Sequence, residues 1–257
     1  MAKPSVVVTR PEAQAGSLMR QLAEQGYEPI LAPMLRIKML SSVELPNLSL
    51  FDTAIFISTN AVAAFHNALD QAKVSLPHTL RCFGIGSKTA QSLESMGVNA
   101  LSVSGATTEA LLTHAWFKQP RSVLIVKGEG GRAALANELK SMGSSVVEWE
   151  GYQRLPPTSA QCGRFRSALT MNPIAILAQS GETLLNAVNT VNAVDTTSTK
   201  SSGSSASPKT RWIVPSERVA EIARENGVDP LVAPSAADDD MVSTLNRYCE
   251  QQKVSHG

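Results

Sequence analysis

Cysteine is scarce and scattered in this chain. Cys82, Cys162 and Cys249 are the only three, and no two form a C-x-x-C pair. An odd, dispersed set of thiols supports neither a disulfide framework nor a structural zinc site. An excess of one charge is missing too. With 23 Lys and Arg against 22 Asp and Glu, the net charge of +1 leaves no overall basic footprint for nucleic acid or an anionic membrane. No stretch approaches the roughly 18 apolar residues of a membrane span. The opening MAKPSVVVTRPE has no apolar leader core, so a cytoplasmic protein without a membrane partner is expected. Nucleotide fingerprints fail as well. G-x-x-x-x-G-K-[ST] occurs nowhere, and the G-E-G-G-R of residues 128–132 lacks the third glycine spacing of a dinucleotide loop.

What is present is a hydrophobic content of 43%, ordinary for a globular core, in a chain long enough for one large α/β domain or two small ones. Short runs rich in Val and Ile alternate with helical patterns, as parallel βα units do. Three of these units occur twice. VVVTRPEAQAGSLMRQLAEQG (residues 6–26) aligns without a gap on VLIVKGEGGRAALANELKSMG (residues 123–143), pairing Leu18 with Leu135 and Leu22 with Leu139. FDTAIFISTNAVAAFHNAL (residues 51–69) matches NPIAILAQSGETLLNAV (residues 172–188), placing Ser58 opposite Ser180. RCFGIGSKTAQSLESMGV (residues 81–98) matches RWIVPSERVAEIARENGV (residues 211–228), placing Gly97 opposite Gly227.

In open parallel sheets the ligand crevice lies beyond the carboxyl ends of the strands. Thr9, Ser58, Gly84, Lys127, Ser180 and Pro215 fall there. The duplication therefore aims two similar rims of small polar residues and loop N–H groups at a cleft. The glycine loop reads either as a plain strand-to-helix turn or as an anion site, since Lys127 and Arg132 flank it. Residues 195–210, DTTSTKSSGSSASPKT, are dominated by Ser and Thr and read as a flexible surface insertion.

The chain resembles the uroporphyrinogen-III synthase family over nearly its whole length. The resemblance is carried by ordered pieces: VTRP (8–11), FISTNAV (56–62), FGIGSKTAQSL (83–93), GATTEALL (105–112), VLIVKGEGGR (123–132), Tyr152 in EGYQR, AQSGETL (178–184) and VPSERVAEIARENG (214–227). Two departures stand out: Gln179-Ser180-Gly181 where the family often has Thr-Ser-Gly, and Val214-Pro215-Ser216-Glu217 where it frequently has Gly-Pro-x-Thr. The resemblance implies an α/β fold of two lobes, each a flavodoxin-like parallel-sheet domain, joined by a two-stranded β-ladder with a cleft between them. Residues 1–36 plus 155–257 would form the first lobe and 37–154 the second.

The family's substrate is hydroxymethylbilane, a linear tetrapyrrole bearing an acetate and a propionate on each ring. Its product is the macrocycle uroporphyrinogen III, with the last ring inverted and one water lost. The resemblance implies no cofactor and no metal, a monomer, and possible receipt of substrate from hydroxymethylbilane synthase. A non-catalytic two-lobed binding protein for a small organic anion shares the same cleft and is the other reading open at this stage.

Conventional catalytic equipment is sparse. His66, His78, His114 and His256 all miss the strand ends. The run Asp238-Asp239-Asp240 reads as a helix N-terminus, and Cys82 as a small buried apolar residue. Tyr152 follows an apolar strand and carries a phenol able to donate to a departing hydroxyl, and the resemblance makes it the catalytic candidate. Substrate carboxylates are assigned to helix starts and cations near strand ends: Thr9 and Arg10; Ser58, Thr59, Asn60 and Ala61; Gly84, Lys88 and Thr89; Lys127, Gly128 and Arg132; Ser180 and Gly181; Ser216 and Arg218.

Overall fold

The alternating pattern is realised, in a computed structural model that describes residues 3–102, 108–131, 133–195 and 210–254, as a regular succession of strands and helices. In chain order they are β1 (Ser5–Val8), α1 (Glu12–Glu24), β2 (Glu28–Leu31), β3 (Arg36–Met39), β4 (Thr53–Phe56), α2 (Thr59–Ala72), β5 (Arg81–Gly84), α3 (Ser87–Glu94), β6 (Ala100–Ser102), α4 (Thr108–Leu112), β7 (Ser122–Gly128), α5 (Ala134–Ser141) and β8 (Ser145–Leu155). There follow α6 (Ser159–Thr170), β9 (Ala175–Leu177), α7 (Gly181–Asp195), β10 (Arg211–Val214), α8 (Glu217–Glu225), β11 (Pro230–Val232) and α9 (Asp238–Val254). Residue contacts divide the chain into a unit of Met1–Arg36 with Leu155–Gly257 and a unit of Ile37–Arg154. Apart from its two end residues, the Ser/Thr-rich stretch 195–210 lies outside the described residues.

The first unit is built on one parallel sheet of order β11-β10-β9-β1-β2. All four residues of β1 are buried, as expected of a parallel strand covered on both faces. The pleat sends Val7 into one cluster with α6, α7 and α8, and Val6 and Val8 into another with α1 and α9. α6 starts on a capping box, in which Thr158 accepts from the Gln161 N–H and the Gln161 side chain accepts from the Thr158 N–H.

The second unit repeats this plan in the order β3-β8-β7-β4-β5-β6, with β4 to β8 mutually parallel. β4 places Ala54 and Phe56 against α2 and α3, and Ile55 against α4 and α5. Helices thus cover both faces of each sheet, and the chain reverses its winding between β1 and β9 in the first unit and between β7 and β4 in the second. The repeat is visible in detail. Leu18 and Leu22 of α1 are buried as Leu135 and Leu139 of α5 are. The paired C-terminal glycines share their left-handed backbone: Gly26 and Gly143 both at φ 87°, Gly97 and Gly227 both at φ 76°.

Candidate active site

In the second unit, the carboxyl end of β4 runs through Ile57 into Ser58, whose extended backbone caps α2 while its Oγ accepts from the Ala61 N–H at 3.2 Å. The same Oγ lies 3.0 Å from the phenol oxygen of Tyr152, with either hydroxyl able to donate. Tyr152 sits near the end of β8 and is only 4% exposed. Its ring is seated by a register shift between β7 and β8. Lys127 pairs with Glu150 but Gly128 with Tyr152, so one residue of β8 is extra. A methyl group on Gly128 would come within 2.6 Å of Tyr152 Cζ, so only glycine leaves room for the ring.

That close approach gives the glycine loop a role the sequence does not show. The Glu129 N–H donates to the Tyr152 carbonyl at 2.8 Å and the Gly131 N–H to the Gly128 carbonyl. Those two amides are committed to the turn and are not an open nest for an anion. Lys127, expected beside a substrate carboxylate, is 6% exposed and already ion-paired, with Nζ 2.7 Å from Glu148 and 3.6 Å from Glu150. It also donates to the Gly131 carbonyl at 3.0 Å, tying the loop down. Arg132 lies outside the described residues.

Glu148 and Glu150 escaped the sequence reading. The signal was two acids at i, i+2 on one strand, hence on one face, opposite a lysine ending the neighbouring strand. Thr59 and Asn60 form the first turn of α2, half-buried, with Ala61 buried behind them. Beside them, Gly84 ends β5 where a Cβ would lie 2.5 Å from the Ala90 nitrogen, so α3 begins directly over the strand. Lys88 is exposed in the first turn of α3, and Thr89 is buried with its N–H donating to the Gly86 carbonyl.

In the first unit, Thr9 follows β1 fully buried, its hydroxyl donating to the Leu177 carbonyl at 2.8 Å. Arg10 donates to Asp238 at 2.7 Å and to the Ala236 carbonyl at 2.9 Å, anchoring the start of α9. Both were expected to meet substrate. In the structure their polar atoms hold strand and helix ends in place. Ser180 precedes α7 and exchanges hydrogen bonds with Thr183: its Oγ accepts from the Thr183 N–H, and Thr183 Oγ1 accepts from the Ser180 N–H. Gly181 opens that helix, where a methyl group would meet only the end of the Ile222 side chain. Ser216 caps α8 with no capping hydrogen bond from its side chain, and Arg218 is exposed in the first turn.

Cys82 and His114 are bland. Burial pushes the Cys82 thiol up to about 12, so it stays protonated among apolar neighbours. His114 Nδ1 accepts from the Trp116 N–H. Among the described residues there is no cluster of three His, Cys, Asp or Glu side chains, and no helix long and apolar enough to cross a membrane. The second unit thus offers a part-buried hydroxyl pair, Ser58 and Tyr152, at the end of its sheet, and each unit ends strands at helix N-termini.

A family described as uroporphyrinogen-III synthase HemD matches residues 16–243. The uroporphyrinogen-III synthase of Proteus mirabilis is 35% identical over 160 residues, 59% of this chain and 80% of that protein. That of Salmonella typhimurium is 26% identical over 247 residues, 92% of this chain and 97% of the other. Among solved structures, a Thermus thermophilus uroporphyrinogen III synthase variant superposes with a TM-score of 0.60 at 15% identity, covering 96% of this chain and 99% of the other. The Helicobacter pylori synthetase gives 0.59 at 14%, covering 95% and 99%. At those identities the two structures speak for the fold.

Proposed function

This chain belongs to the uroporphyrinogen-III synthase family, and from that premise we propose how its residues divide the labour of the family's reaction. The enzyme converts hydroxymethylbilane to uroporphyrinogen III, inverting the last pyrrole ring and releasing water. The bond that breaks first joins the terminal methylene to its hydroxyl. A pyrrole nitrogen supplies the electron pair, leaving an azafulvene. The substituted carbon of the last ring attacks to give a spiro intermediate, and fragmentation and recombination close the inverted macrocycle. The ring proton released at closure balances the proton taken up by the departing hydroxyl.

The observation that carries the proposed roles is the 3.0 Å contact between Ser58 Oγ and the Tyr152 phenol. Ser58 Oγ accepts from the Ala61 N–H and either hydroxyl can donate in its contact with Tyr152; the proposed arrangement is the one in which Ser58 donates to the Tyr152 oxygen. The phenol proton is then left for the departing hydroxyl, and the bond from Ser58 steadies the charge growing on the phenol. Tyr152 is the acid and Ser58 its orienting partner.

The acetate and propionate arms are taken by helix N-termini, whose N–H groups favour carboxylates: Thr59, Asn60 and Ala61 on α2, Lys88 and Thr89 on α3 next to Gly84, Ser180 and Gly181 on α7, and Ser216 and Arg218 on α8. Arg132 supplies a further cation, whereas Thr9, Arg10, Lys127 and Gly128 act by holding the surrounding strands and loop. Such a site works mainly by positioning, since closure without it gives the uninverted ring. The chain acts as a cytoplasmic monomer that receives its unstable substrate from hydroxymethylbilane synthase.

Incubation with freshly generated hydroxymethylbilane, followed by oxidation and separation of porphyrin isomers, is expected to give isomer III. Isomer I alone would remove the activity. Arg132→Ala is expected to raise KM with little change in kcat, as for loss of a contact equal in ground and transition states.

A further inference from the structure

Gln179 immediately precedes Ser180 and α7, beyond the carboxyl end of β9. Both polar atoms of its side chain, Oε1 and Nε2, are buried, and neither has a hydrogen-bond partner among the described residues. Nearly all buried polar side-chain atoms in folded proteins are paired, because an unmade bond leaves the full desolvation penalty of the group standing. Packing does not require a carboxamide here. The repeat places Ser58 opposite Ser180, so the position equivalent to Gln179 is Ile57, an apolar side chain packed against a core cluster of the second unit. One copy of the fold fills the place with hydrocarbon. The other keeps a donor and an acceptor there with nothing to bond among the described residues.

The location is also specific. β9 lies beside β1, and these are the strands between which the winding of the first sheet reverses: α1 covers one face and α7 the other. Ligands of doubly wound sheets bind outside the carboxyl ends of the strands at this reversal.

We infer that Gln179 is a substrate-recognising residue: its carboxamide, buried and without a partner among the described residues, turns outward to meet the tetrapyrrole, where Oε1 accepts a pyrrole N–H and Nε2 donates to a carboxylate oxygen. A carboxamide presents an acceptor and a donor side by side, and the linear substrate carries pyrrole N–H groups alongside acidic arms. Gln179 thereby selects a ligand that combines the two, rather than any anion. The inference rests on the tetrapyrrole reading of the site.

The test compares the parent with Gln179→Met, which keeps length and volume and removes both polar atoms, and with Gln179→Glu, which keeps an acceptor and sets a negative charge against the substrate's acids. Freshly generated hydroxymethylbilane is the probe, with KM, kcat, isomer ratio and Tm as readouts. Isomer III from the parent establishes the reading independently of Gln179, whereas isomer I alone would sink that reading and the inference with it. For Gln179→Met the expected result is a KM raised about 10-fold or more, as for a lost hydrogen bond to a charged group, with kcat retained and a Tm equal to or above the parent's. Gln179→Glu is expected to bind more weakly still. A parental KM in either variant overturns the inference. So does a lowered Tm in Gln179→Met, because the amide would then have a partner in the empty protein, such as a bridging water.

Discussion

Replacing Tyr152 by phenylalanine deletes one oxygen and leaves the ring in the seat that Gly128 makes for it. In the resting protein the loss is one neutral hydrogen bond, to Ser58 Oγ at 3.0 Å, and Ser58 keeps the bond from the Ala61 N–H. Such a bond contributes about 0.5–1.5 kcal/mol, or roughly 1–6 °C in Tm for a chain of this size. If the phenol donates to the departing hydroxyl, kcat falls by about 10²- to 10⁴-fold, equivalent to about 2.7–5.5 kcal/mol of barrier. The catalytic loss therefore exceeds the structural one, and the two are separable by measuring Tm beside turnover. The product is expected to remain isomer III, since the ring still shapes the site.

Ser58→Ala gives the complementary case. It removes the cap of α2, about 0.5–2 kcal/mol, and slows turnover by about 2- to 13-fold if one orienting hydrogen bond is lost. A hydroxyl acting through Tyr152 adds nothing once the phenol is gone, so the double variant is expected to turn over at the rate of Tyr152→Phe. Tyr152→Phe with parental kcat, or a double variant slower by the product of the two single effects, would refute the reasoning.

Gly128→Ala brings a methyl group to 2.6 Å from Tyr152 Cζ, and overpacking of this kind costs about 1–3 kcal/mol. Tm and kcat are expected to fall together, and parental values for both would show that the ring needs no such seat. Lys127→Met leaves Glu148 and Glu150 without their shared cation. The urea midpoint should drop while KM stays put, whereas a raised KM at unchanged stability would place Lys127 on the substrate. Because burial raises the Cys82 thiol to about 12, its contribution is whole below the unfolded value of about 8.5 and is lost as pH rises through the folded one. Cys82→Ala is expected to flatten the alkaline decline in stability, measured by melts at increasing pH. Native Cys82 should also resist thiol reagents at neutral pH, as read by mass mapping.

The sequence by itself determined the features that depend on neighbours along the chain. Apolar runs with helical segments between them gave parallel strands. The paired repeats gave two sheets wound alike, and the residues at the strand ends, Ser58 and Ser180 among them, were located because a helix N-terminus follows a strand within two or three residues. Glycines at helix ends were legible for the same local reason: a left-handed residue after the last turn favours glycine.

Tertiary structure alone decided how polar side chains pair, because that depends on register between segments remote in sequence. Ser58 meets Tyr152 across 94 residues and Arg10 meets Asp238 across 228. Lys127 looked like a free cation until β8 placed two acids against it. The glycines of residues 128–131 read as either a plain turn or an anion site, and Gly128 serves to admit a tyrosine ring from the next strand. Gln179 looked like one more polar residue after a strand, and what sets it apart is burial of its carboxamide without a partner among the described residues. Hydrophobic periodicity specifies which face of an element is covered. It carries no information on which donor will find which acceptor once the covered faces have come together.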